Sequence, residues 1–222
     1  MDEKDTNRLE AFSDGVFAVA ITLLVLNIKI PGLDTPGKLL EDGDLWKALQ
    51  GQWAMLVAYI TSFATIGIMW LNHHRVFSHV KRTSTMLLLL NLLLLLVIVF
   101  IPVPTALLAE QLPYPGQHAA AEIYSATNIL MAICFNLLWN HASRGGRLLG
   151  KNVDMRSVAA ISGQYMYGPL LYVVAFGLAW ISAPVCIAFN FLLALFFAVP
   201  GQPLRTMPEK VRERVEGEAV EG

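Results

Sequence analysis

Charge is what this 222-residue chain has least of. Only 15% of its residues are Asp, Glu, Lys or Arg, whereas a soluble domain carries about a quarter. With 55% hydrophobic residues and a mean hydropathy of +0.54, its solvent is lipid. The net charge of −1 leaves no basic excess that would draw the whole chain to nucleic acid. There are two cysteines, Cys134 and Cys186, both inside apolar runs, so neither a disulfide framework nor a metal-ligand spacing is present. The opening residues, MDEKDTNR, lack the basic n-region of a cleaved leader, and the first apolar segment is expected to stay in the mature chain. Also missing are GxSxG, a phosphate-binding loop, HExxH and a pair of intramembrane aspartates. Asn91, Asn128, Asn136 and Asn140 stand alone in apolar segments, as amides that join helices do. The reading is a non-enzyme with no cofactor and no metal site.

What is present is a set of apolar runs. A helix that crosses a bilayer needs roughly 20 mostly apolar residues. Six segments meet that length, at about 9–30, 47–74, 84–108, 119–142, 156–180 and 182–200. The last two are separated by a tight turn near Ser182-Ala183-Pro184, and the third is expected to close at the Pro102-Val103-Pro104 break. No second copy of any segment is evident. The expectation is an all-α integral membrane protein of six spans, one domain over 1–200, with a charged tail over 201–222.

Thirteen of the sixteen Lys and Arg fall on one side of this arrangement, and Lys29, Lys38 and Lys47 fall on the other. The positive-inside rule places both termini and the 75–83 and 143–156 loops in the cytoplasm of a multi-pass cell-membrane protein. The opposite loops carry Asp34, Glu41, Asp42, Asp44 and Glu110. An acidic mouth concentrates cations, although the same pattern follows from charge sorting alone.

The first span, RLEAFSDGVFAVAITLLVLNIKIP over 8–31, is unlike a plain anchor. At 100° per residue, Val19, Leu23 and Leu26 share a stripe about 60° wide, with Thr22 beside it. Phe12, Gly15 and Ile30 extend that stripe. Ordinary helix packing produces the same pattern. Asp14 points roughly 140° away, next to Ser13. A carboxylate at membrane depth is costly without partners. Arg8 and Ser13 are local candidates. Trp70, Asn72, His73, His74 and Arg75, in WLNHHR at the end of the second span, lie at the same depth. A network of Arg8, Ser13, Asp14 and one histidine would satisfy donors and acceptors together.

Arg8-x-x-x-Phe12-Ser13-Asp14 followed by GVFAVAITLLVLNIKIP resembles the signature of the transmembrane-protein-175 family. Its members are endosomal and lysosomal potassium channels in animals, with shorter prokaryotic relatives. WLNHHR and the count of six spans in about 220 residues match the prokaryotic form. The resemblance implies a homotetramer in membrane lipid, with four copies of the first span around a pore permeable to potassium. It implies no TVGYG filter, and YMYG at 165–168 is none. It places the constriction at Val19, Leu23 and Leu26, with Thr22 as the polar layer. Arg8, Phe12, Ser13, Asp14, Trp70, Asn72, His73 and His74 would then anchor the pore helix, and Asp14→Ala would harm assembly more than selectivity. Val19 is smaller than the Ile or Leu of relatives, which implies a wider ring and a modest preference for potassium over sodium. The rivals are a proton-coupled transporter using Asp14 and a helix-2 histidine, a haem-binding redox protein, and a structural membrane protein.

Overall fold

The computed structural model describes residues 3–28, 41–150 and 153–199. Among these, the chain is a helical bundle whose only extended pairing is an isolated bridge between Val80 and Leu149. Helix α1 runs Glu3–Leu23 and tightens into a 3-10 turn over Leu24–Asn27. A short helix α2, Asp42–Gln50, precedes α3, Trp53–His79. Then come α4, Thr85–Phe100, and α5, Pro102–Gln111. Helix α6 spans Gln117–Ser143, and α7, α8 and α9 follow as Met155–Met166, Gly168–Ile181 and Ala183–Ala198.

Among the described residues, five rods are long and apolar enough to cross a membrane, and Ala183–Ala198 is a shorter apolar helix. They fall on the six expected segments, with informative differences. The second span begins at Trp53 and not near residue 47, because α2 ends at Gln50 and Gly51 breaks the run. The prolines of the third span do not close it. Pro102 sits in the first turn of α5, where a missing N–H costs least, and the rod continues to Gln111. The fifth span is divided at Tyr167 by Gly168-Pro169, a break the hydropathy does not announce. The hairpin at Ser182 is tight, with extended backbone at that residue.

Polar side chains cap the starts of α4 and α7. Ser84 caps α4 by accepting the Leu87 N–H at 3.1 Å. Asp154 caps α7. The Arg156 backbone N–H, together with the Ser157 hydroxyl and N–H, holds its carboxyl below the ordinary carboxylate range.

The core centres on α6, which packs against α4, α5, α8 and α9 and buries Tyr124, Met131 and Trp139. Helix α1 lies at the edge, held by α3 and α4, with its terminal turn against α5. Asn27 Nδ2 donates to the Pro102 carbonyl at 3.0 Å, so the end of α1 is tied to the proline junction of the third span. Residues 29–40 and the tail 201–222, with Ile30, Asp34, Lys38 and the tail's charges, lie outside the described residues.

Candidate pore helix and its anchors

One face of α1 is sealed. Thr6, Leu9, Ser13, Phe17, Ala20 and Leu24 are all buried, at the three- and four-residue spacing of a single helical face. The opposite face is bare. Phe12 and Val19 are each 54% exposed, Val25 is 49% and Leu26 is 75%. Thr22 is exposed and Leu23 half-buried on the same side. The Thr22 hydroxyl donates to the Val19 carbonyl at 2.9 Å. Its proton is thereby committed to the helix, and its lone pairs are left on the uncovered face.

Two circuits hold the sealed face. The first is buried. Ser13 Oγ donates to Leu9 O at 2.8 Å and accepts from Asn91 Nδ2 at 2.9 Å. Ser13 has one proton, spent on Leu9, so the Asn91 amide must turn its N–H towards Ser13 and its oxygen towards His73. His73 Nε2, 2.9 Å from Asn91 Oδ1, is therefore the protonated nitrogen. The His73 ring is clasped between Phe77, stacked at 4.4 Å, and Phe17, tilted at 5.4 Å.

The second circuit lies nearer the surface. Asp14 Oδ1 accepts the Trp70 Nε1–H at 2.8 Å. Glu10 Oε1 meets His74 Nδ1 at 2.7 Å, and the Trp70 and His74 rings stack at 6.5 Å. The single network expected from the sequence is thus two, and the partner of Asp14 is an indole where a histidine was expected. Arg8 is exposed. Phe12 points to the uncovered face and not into the anchors. Asn72, grouped with the anchors of α1 on sequence, joins other helices. It donates to Phe197 O at 3.2 Å, and its oxygen accepts from Arg75 Nη1 at 3.0 Å and from the Tyr165 hydroxyl at 3.1 Å.

Asn91 and Glu10 were missed as site residues. A lone amide in a leucine run was the available signal for Asn91, and Glu10 stands one turn before Asp14. YMYG lies at the α7–α8 junction, with Tyr165 buried. Among the described residues, no group of three or more His, Cys, Asp or Glu side chains is placed to hold a metal ion.

Residues 8–102 match the sequence profile of the family described as endosomal/lysosomal potassium channel TMEM175. The chain is 47% identical over 198 residues to a potassium channel of Chamaesiphon minutus, covering 89% of this chain and 96% of the relative. It is 46% identical over 203 residues to a potassium channel of Streptomyces collinus, covering 91% and 96%. The crystal structure of a lysosomal potassium-selective channel TMEM175 homolog from Chamaesiphon minutus superimposes with a TM-score of 0.79. That match is 45% identical and covers 90% of this chain and 99% of the other.

Proposed function

Because the chain belongs to the TMEM175 family of endosomal/lysosomal potassium channels, we propose that it is a potassium channel of the cell membrane, built as a homotetramer around four copies of α1. The observation that carries this reading is the division of α1 into a sealed face and a bare one. A helix anchored by two polar circuits, yet leaving Phe12, Val19, Thr22 and Leu26 uncovered, is built to present that face to something outside its own bundle. Both termini are assigned to the cytoplasm, on the basic residues of the 75–83 and 143–156 loops.

The mechanism follows from the side chains on the bare face. Four Val19, Leu23 and Leu26 side chains form an apolar constriction that expels water when narrow, and an ion stripped of water does not pass. Slight widening restores the water column. Thr22 offers four hydroxyl oxygens as acceptors, the polarity a cation needs, because each proton is committed to a Val19 carbonyl. Potassium sheds its hydration shell more readily than sodium, and this ring favours it by a modest factor. Exposed Glu41 and Asp44 at the outer side add attraction for cations.

Purified protein in liposomes provides the test, under a potassium gradient and then a sodium gradient. The channel reading predicts non-saturating potassium flux that exceeds sodium flux and is independent of a proton gradient. Val19→Asn is expected to raise leak and to lower the potassium preference by keeping the ring wet. Saturating, proton-coupled flux would instead support the transporter. That reading is weakened by the Trp70 indole, and not a histidine, on Asp14.

A further inference from the structure

The loops after α3 and α6 are far apart in sequence and are joined in space. Val80 and Leu149 form an antiparallel bridge. Lys81 N–H and Arg82 N–H both reach Leu148 O, at 2.8 and 3.2 Å, and Gly150 N–H reaches His79 O at 3.1 Å. Two successive glycines make this possible. Gly145 and Gly146 have φ of 68° and 65°, the left-handed region that disfavours a side chain, and they turn the chain back from α6 onto the other loop.

The joined loops carry Lys81, Arg82, Arg144 and Arg147, all exposed. The stretches HVKRTS and RGGRLLG contain no acidic residue. The next carboxylate along the chain, Asp154, is occupied by the first turn of α7. Backbone hydrogen bonds join the two loops that carry these cations. Close along the chain, in the first turns of α4 and α7, are exposed apolar side chains: Met86 at 52%, Leu89 at 56% and Met155 at 64%. Cations next in the chain to bare apolar helix starts match a molecule with an anionic head and hydrocarbon tails. A free phosphate would use the first feature and leave the second idle.

We propose that the bridged 79–84 and 144–150 loops form a binding platform for the headgroups of anionic phospholipids in the cytoplasmic leaflet. Charge sorting accounts for basic loops on this side. It does not account for two of them being joined to each other by backbone hydrogen bonds. Basic clusters beside membrane helices attract anionic headgroups through their summed charge, and a rigid platform keeps that charge in one place.

The experiment compares lipid retention by the purified protein after delipidation, using vesicles of phosphatidylglycerol or phosphatidylcholine and native mass spectrometry. The wild-type chain is expected to retain phosphatidylglycerol and to lose phosphatidylcholine, with excess inorganic phosphate failing to displace the lipid. Lys81→Gln/Arg82→Gln/Arg147→Gln should weaken retention roughly tenfold or more. Arg205→Gln/Lys210→Gln/Arg212→Gln removes the same charge from the tail and should leave retention unchanged. Gly145→Ala/Gly146→Ala keeps every charge but strains the turn, and should also lose the lipid. Equal retention of the two lipids, displacement by phosphate, or equal loss from the loop and tail variants would overturn the platform. Gel-filtration profiles of the variants confirm that assembly is intact, and the tail variant serves as the folded reference.

Discussion

Asn91 joins three helices through one amide. Its oxygen takes His73 on α3, its N–H takes Ser13 on α1, and its backbone belongs to α4. Interhelical hydrogen bonds within a membrane contribute about 0.6–2 kcal/mol each, and a donor left unpaired in a buried site costs a further 1–3 kcal/mol or so. Asn91→Leu deletes two bonds and strands His73 Nε2–H, so a loss of roughly 2–4 kcal/mol is expected. Glu10→Gln disturbs a pair whose histidine is 63% exposed, where ion pairs contribute below about 1 kcal/mol. Thermal midpoints in detergent check the contrast: a large drop for Asn91→Leu and a small one for Glu10→Gln. Similar midpoints would mean that the buried circuit does not seat α1. At this scale the sequence showed which residues were out of place in lipid. It did not show their partners, because an amide in a leucine run carries no mark of the helix it faces. The cost of a carboxylate in the membrane correctly demanded a partner for Asp14, and an indole N–H met that demand as well as a histidine would.

Helices were legible as elements wherever hydropathy alone decided them, and less so where backbone chemistry did. The leucine run of α4 and the 27-residue α6 follow from composition. The junctions at Pro102 and Gly168-Pro169 depend on which carbonyls lose a donor, and apolar periodicity does not record this. Proline read as a terminator, yet a proline in the first turn of a new helix is tolerated and lets the rod resume. Polar caps are the other local device, and Asp154 provides a pH test of one. Its carboxyl is held below the ordinary range by the N–H groups and hydroxyl of the α7 first turn. A depressed native pKa means that the cap's support is complete above the unfolded value of 3.8 and fades as pH falls through the lower native value. Amide exchange in the first turn of α7, corrected for intrinsic pH dependence, is therefore expected to accelerate below the ordinary Asp range. Asp154→Ala should show fast exchange at every pH. A pH-independent wild type would remove the cap from the account.

For the whole molecule, the inventory of spans came from apolar length, whereas the packing order did not. The placement of α1 at the edge of the bundle, sealed on one side by α3 and α4, depends on contacts between distant segments. The wheel put Val19, Leu23 and Leu26 on one stripe and was silent on whether that stripe faced protein, lipid or water. The described chain leaves it uncovered, and the family to which the chain belongs gives that exposure a purpose in the proposed tetramer. Both native cysteines are buried, which permits a direct test of the central claim that this face meets water. Thr22→Cys places a thiol on the bare face of α1. Leu96→Cys places one on α4, a helix outside the proposed pore, at a residue 67% exposed. A charged, membrane-impermeant thiosulfonate reagent is then applied while potassium current is recorded. The account predicts block of the Thr22→Cys channel and no effect on Leu96→Cys or the wild type. An unmodified Thr22→Cys thiol in a conducting channel would contradict it.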